Sequence, residues 1–188
     1  MYTICKAKIS DITTVFNFTN NLVQYHEGMT EFFLTDEDSM LQSFKNNDFE
    51  CLILFEENQQ ERKAVGYILY MEEYSILHGY GYYIDDFFVS PDLRGKGLGK
   101  MLMYHMFRLA SENNVKFLKL VFQRSIFGLE KMYTGLGFEN VSAPSSGVEM
   151  YEVFGKEGIR KMVGDNSEKI ESKNKFHFYV KKRSKGIS

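Results

Sequence analysis

The chain has little proline or cysteine, and no apolar run long enough to span a bilayer. Pro91 and Pro144 are its only prolines, and Cys5 and Cys51 its only cysteines. Two cysteines outside any CxxC pair exclude a disulfide framework and a thiolate metal site. His26, His78, His105 and His177 are scattered without ligand spacing, so no metal is expected. The apolar runs are too short for a membrane helix, and the N-terminus has no signal-peptide pattern. The expectation is a cytoplasmic, reduced protein with no membrane partner.

What is present suits one compact domain. Of the 188 residues, 44% are hydrophobic and 15% aromatic, enough to build a core without staples. The net charge of −2 is uneven, with +4 in residues 164–188 and −6 in residues 1–163. A mildly acidic body argues against nucleic acid as a partner and tolerates a cationic substrate. Residues 1–163 are expected to form the domain, and 164–188 a basic C-terminal extension. Phe176 to Val180 within that extension is either an added strand or part of a mobile tail.

Periodicity supplies the elements. Residues 2–9 read as a strand, and Ser10 as the N-cap of a helix with Ile12, Val15, Phe16, Leu22 and Val23 on its apolar face. Thr35 and Asp38 have capping-box spacing before a helix that buries Met40, Leu41 and Phe44. Cys51 to Phe55 and Ala64 to Met71 flank a polar turn as a hairpin, and Tyr80 to Val89 is an aromatic strand. A helix follows with Leu98, Met101, Leu102, His105, Met106 and Leu109 inward. Lys116 to Phe122 is a strand, Ile126 to Tyr133 a helix stopped at Gly135-Leu136-Gly137, and Val148 to Phe154 a last strand. The fold class is therefore α/β, a mixed sheet covered by helices.

The segment with most chemical content is Arg94-Gly95-Lys96-Gly97-Leu98-Gly99-Lys100. Three alternate glycines let the backbone approach a ligand, and they lie where a helix begins, so free N–H groups and the helix dipole favour an anion. Arg94, Lys96 and Lys100 add positive charge. A Walker loop does not fit, because Asp92 stands four residues before Lys96 and Met101 follows Lys100. A GxGxxG fingerprint fails at Leu102. A pyrophosphate held by backbone amides remains.

Arg94-x-x-Gly97-x-Gly99 after an aromatic strand resembles the acetyl-CoA loop of the GNAT superfamily of N-acetyltransferases. Tyr83-Ile84-Asp85-Asp86-Phe87-Phe88-Val89 is similar to the diamine and thialysine acetyltransferase branch, as is the spacing of Tyr25 to Thr35 and of Gly158 to Met162. The resemblance covers residues 1–163. It implies a twisted, mixed but mostly antiparallel sheet, acetyl-CoA as co-substrate, a small-molecule amine as acceptor, and a homodimer. By the same resemblance, Phe87, Phe88 and Val89 would offer backbone groups to the pantetheine arm. Arg94, Gly95, Lys96, Gly97, Leu98, Gly99 and Lys100 would cradle the pyrophosphate, and Tyr133 would lie near the sulfur. Tyr25 and His26 would line the amine site, with Asp85 at its floor.

The residues carry compatible chemistry. An alkylammonium must lose a proton before attacking a thioester, and a carboxylate can accept it. Strand alternation sends Asp85 and Asp86 to opposite faces, and Asp85, expected to share a face with Tyr83 and Phe87, is the expected base. Tyr133 would protonate the departing thiolate, although by periodicity alone it is an ordinary amphipathic-helix residue. No Ser, Cys or metal constellation competes, so the expected route is direct attack in a ternary complex. His26 and Ser75 stand where the polyamine-acetylating enzymes carry acids, with Glu72 and Glu73 close by. The segment Gln123-Arg124-Ser125-Ile126 lacks that family's usual Asn. Acetylation of protein lysines or N-termini, and a catalytically weak acyl-CoA-binding module, are the alternative readings.

Overall fold

The computed structural model describes residues 1–25, 35–123, 128–142, 148–154, 157–161 and 163. The expectations at His26, at Arg124 to Ile126 and in the extension beyond residue 163 lie outside them.

Seven strands form one sheet in the order β1-β2-β3-β4-β5-β7-β6. β1 (Tyr2–Lys6), β2 (Glu50–Glu57), β3 (Arg62–Ser75) and β4 (Gly79–Val89) pair antiparallel in turn. β5 (Phe117–Gln123) runs parallel to β4, and β7 (Val148–Phe154) lies antiparallel to β5 with the two-residue β6 (Glu139–Asn140) at its outer edge. The sheet is thus mixed and mostly antiparallel. β6 escaped sequence analysis because two residues carry no periodicity.

Helices cover both faces. α1 (Ile12–Tyr25) and α2 (Glu37–Asn46) lie on one side, α3 (Leu98–Glu112) and α4 (Leu129–Gly135) on the other. This is why β2 reads as an unbroken apolar run: Cys51, Leu52, Ile53, Leu54 and Phe55 are all buried. Leu52 and Leu54 join the core under α3 with Ile68, Ile84, Leu102 and Leu120. Cys51, Ile53 and Phe55 join the core under α1 and α2 with Ile12, Val15, Met40, Tyr67 and Phe88. Leu102 is fully buried, and truncating it to alanine would cost about 2–5 kcal/mol.

Two helix starts differ from expectation. Ser10 is not a cap: a 3-10 turn spans Ile9–Asp11, and the Asp11 carboxylate accepts the Lys8 N–H at 2.8 Å, so the chain turns earlier. For α2 the cap is Asp36, not Thr35, because the Asp36 carboxylate takes the Ser39 N–H at 2.7 Å. β3 also outruns its apolar segment. Its residues Glu72 to Ser75 stay paired with Tyr82 to Gly79, making a long β3–β4 hairpin.

Two features of β4 position the site. Against β3, Leu69 pairs with Asp86 and Tyr70 with Ile84, leaving Asp85 as the extra residue of a bulge. Against β5, only Tyr82, Tyr83 and Ile84 are in register. From Asp85 to Val89 the strand has no β5 partner among the described residues, so the sheet opens into a slot between β4 and β5. Close contact holds the β3 side, where a Cβ on Gly66 would meet the Phe88 carbonyl oxygen at 2.7 Å.

Candidate active site

The glycine loop lies between β4 and α3, on the α3 side of the slot. Gly95 (φ 77°) and Gly97 (φ 84°) are left-handed, and a Cβ at either would meet nothing within 4 Å. Their hydrogen atoms therefore face open space, and glycine is required for conformation rather than for room within the protein. Gly97 is the N-cap residue of α3 with no side-chain cap, which leaves first-turn N–H groups for an external anion. A Cβ on Gly99 would lie 3.1 Å from the Phe87 ring, so the first turn of α3 sits directly on β4. Leu98 is buried, whereas Lys96 and Lys100 are exposed beside the loop.

Arg94 is tied back to β4. Its Nε–H donates to the Val89 carbonyl at 3.1 Å, and its guanidinium lies 6.0 Å from the centre of the Phe88 ring. Besides contributing charge, Arg94 thus fixes the loop relative to the strand's end.

Tyr133 lies on α4, on the same side of the sheet as α3. It is 6% exposed among Phe122, Phe138 and Tyr151, with ring centres 5.3–6.2 Å away. Burial raises its pKa, keeping the phenol protonated. Its helix begins at Gly128 (φ 88°), later than the periodicity suggested.

The acids lie across the slot. The bulge breaks the alternation expected of Asp85 and Asp86, and this corrects their assignment to opposite faces. Tyr82 and Ile84 belong to the α3 core, so Tyr83 faces the α1 side; beyond the bulge, Phe87 and Val89 face α3 while Phe88 faces α1. Asp85 therefore does not share a face with Phe87. Its carboxylate hydrogen-bonds Tyr83 and raises the pKa of Asp86 through its charge, so both acids turn toward the α1 side.

Their environments differ. Asp86 is walled in: Tyr67 Oη donates to it at 2.7 Å, Thr19 Oγ1 lies 3.3 Å away, and those two hydroxyls are 2.9 Å apart. Burial raises the Asp86 pKa, the Tyr67 bond opposes this, and the Asp85 charge adds to it. Asp85 is exposed to the slot, yet the protein around it desolvates the carboxylate and raises its pKa, with the Tyr83 bond acting the other way. Of the two, Asp85 is the one a solute can reach. Tyr25 closes α1, and only its backbone is described.

Sequence reasoning missed a charged group beside Tyr83. Lys119 on β5 forms an ion pair with Glu73 on β3, and its ammonium lies 5.3 Å from the centre of the Tyr83 ring. Glu152 on β7 stands directly across from Lys119. The available signal was a lysine between Leu118 and Leu120 and a glutamate between Tyr151 and Val153, each in a strand whose neighbouring residues are buried.

Apart from this site, a cavity of about 620 Å³ lies between β1 and the C-terminal half of α3, lined by Ile4, Lys6, Arg62, His105, Arg108 and Glu112 among others. It includes no residue of the glycine loop. Among the described residues no group of His, Cys, Asp and Glu could hold a metal, and no helix is long and apolar enough to cross a membrane.

The acetyltransferase (GNAT) family matches residues 20–138 of this chain. The chain belongs to that family. Other GNAT proteins resemble it at low identity. Thialysine N-epsilon-acetyltransferase of Bos taurus is 24% identical over 166 residues, covering 86% of this chain and 96% of that protein. An N-acetyltransferase from Staphylococcus aureus Mu50 superposes with a TM-score of 0.64 at 15% identity, covering 82% of this chain and 98% of the other. The PaiA N-acetyltransferase from Thermoplasma acidophilum, solved with coenzyme A, gives 0.63 at 16% identity, covering 81% and 98%. These two structures support the GNAT fold. The family match supports acetyl transfer.

Proposed function

We propose that this GNAT enzyme moves the acetyl group of acetyl-CoA to the primary amine of a small molecule, a diamine or a lysine-like amino acid, by direct attack in a ternary complex. The observation that carries this reading is the slot where β4 leaves β5, with Tyr133 on one side of the sheet and Asp85 opening on the other.

The residues fit the co-substrate. Left-handed Gly95 and Gly97 at the bare start of α3 suit a pyrophosphate, with Lys96 and Lys100 balancing its charge. Alternate backbone groups from Asp85 to Val89 face the gap and suit the amide-bearing pantetheine arm. When bound, acetyl-CoA supplies an activated acetyl thioester.

The chain's own groups then handle protons. Asp85, directly or through a water, takes the proton that the acceptor ammonium must lose. Tyr133, kept protonated by burial, donates to the sulfur as the C–S bond breaks and the N–C bond forms, and the second proton shed by the acylated nitrogen restores the phenol through water. The products are an amide and a free thiol, with no acyl-enzyme between them.

Incubating the protein with acetyl-CoA and a panel of amines, while following thiol release, tests the reading. Turnover on free amines supports it. Activity on peptides alone selects a protein acetyltransferase, and coenzyme A binding without any turnover selects a binding module. Homodimer formation belongs to the same proposal. Its support is the hairpin tip, where Tyr74, Ile76 and Leu77 are 75%, 93% and 83% exposed. Sedimentation of the full chain as a monomer would refute that part.

A further inference from the structure

Asp85 is the one residue of β4 that neither ladder holds. The bulge leaves it out of the pairing with β3, where its neighbours Ile84 and Asp86 face Tyr70 and Leu69. The pairing with β5 ends at Ile84, so Asp85 has no partner on that side either. A carboxylate on such a residue starts with both backbone and side-chain freedom. A reacting group misplaced by about 1 Å can cost about a hundredfold in rate, so the orientation of Asp85 has to come from a side chain.

Tyr83 supplies that hold. It lies two residues earlier on the same side of the sheet, and its hydroxyl hydrogen-bonds the Asp85 carboxylate. No second hydrogen bond to that carboxylate is found among the described residues. Where Asp85 is loose, Tyr83 is fixed: it pairs with Met71 of β3 and with Lys119 of β5. Its ring lies 5.3 Å from the Lys119 ammonium, which an ion pair with Glu73 keeps in place. Burial and then the Asp85 charge raise the Tyr83 pKa, so the phenol stays protonated and donates.

The other charged groups on this side have their own partners or stand apart. Asp86 is closed in by Tyr67 and Thr19, and Glu73 is occupied by Lys119. Glu152 stands across from Lys119 and within the field of His78. The titration of Asp85 is governed by burial, which raises its pKa, and by the Tyr83 bond, which lowers it.

We propose that Tyr83 is the positioning residue for the base of this enzyme, holding one oxygen of the Asp85 carboxylate so that the other faces the acceptor's ammonium. This role rests on the amine-acetyltransferase reading above and adds no chemical step to it. The hydroxyl bonds the ionised carboxylate, the form that accepts a proton, and so opposes the effect of desolvation. Lys119 and Glu73 act at one remove, by fixing the ring.

Tyr83→Phe keeps the ring beside Lys119 and removes only the hydroxyl. The full chain is assayed with acetyl-CoA and the fastest acceptor among lysine, cadaverine and spermidine. The acid limb of kcat/KM should move upward by about half a pH unit or more, and the plateau kcat should fall about tenfold. The KM for acetyl-CoA and the Tm should stay at their wild-type values. A carbon NMR titration of the Asp85 carboxyl, assigned with Asp85→Asn, should show the same upward shift and needs no acceptor. A titration identical to wild type overturns the proposal. A rate loss with an unshifted acid limb overturns it too, because that is the result of a packing role alone. Asp85→Asn with full activity would instead remove the base reading itself, and the role of Tyr83 with it.

Discussion

The phenol of Tyr67 donates to the Asp86 carboxylate at 2.7 Å, inside a closed group completed by Thr19. This ties α1 to β3 and β4 directly behind the bulge, leaving Asp85 as the acid that opens on the slot. The two neighbouring carboxylates have therefore divided their tasks: Asp86 holds a helix, and Asp85 meets solute.

That division has a pH signature. The folded-state pKa of Asp86 is raised above its unfolded value of about 3.9, so between those two values the folded protein binds more protons. Wild-type stability from this group is fully present below the unfolded pKa and is lost as pH rises through the folded one. Asp86→Asn keeps an oxygen to accept the Tyr67 bond and has no charge to bury. Its Tm should exceed the wild-type Tm at neutral pH, and the difference should shrink toward pH 4. A difference that stays constant across that range contradicts the assignment.

Tyr133→Phe separates chemistry from binding. Removing the hydroxyl leaves the ring among Phe122, Phe138 and Tyr151, so the fold and the coenzyme A site should persist. Turnover should drop by about a hundredfold with coenzyme A affinity unchanged. Calorimetry alongside thiol release checks both. Equal losses in affinity and rate would show that Tyr133 serves binding.

Gly97→Ala tests the loop through its backbone. The new methyl group meets no protein atom, so crowding within the fold is not the issue; holding alanine at φ 84° is, at a cost of about 1–2 kcal/mol. Acetyl-CoA should bind about tenfold more weakly, or the loop should relax and lower the Tm. A variant with wild-type affinity and wild-type Tm would show that the loop does not need its left-handed turn.

Much of this was legible in the sequence because it is local. The glycines, the cations around them and the apolar face of α3 occupy one short stretch, and their chemistry depends on near neighbours. The acetyl-transfer reading followed from that stretch and agrees with the family match. The bulge was not legible, since nothing in Asp85-Asp86-Phe87-Phe88 reveals that Leu69 will pair with Asp86 and Tyr70 with Ile84. Alternation was a sound rule for an unbroken ladder and failed where the ladder skips a residue. The Lys119–Glu73 pair joins strands 46 residues apart, a distance that periodicity does not bridge. Capping at Asp36 rather than Thr35 turned on which side-chain oxygen reaches the Ser39 N–H, a matter of one residue's geometry.

The brief pairing of β4 with β5 has a mechanical meaning as well. Among the described residues, three ladder pairs join β4 to β5, beside the bond from the Lys116 N–H to the Tyr80 carbonyl and the Lys119–Glu73 ion pair. Beyond them the backbone has a missing rung, and a ligand arm rich in amides is the kind of object that can supply it. Filling the slot would turn two half-sheets into one continuous beam, so occupancy should slow amide exchange on both banks of the seam together. The tighter the ligand is held, the less the two halves behave as separate bodies.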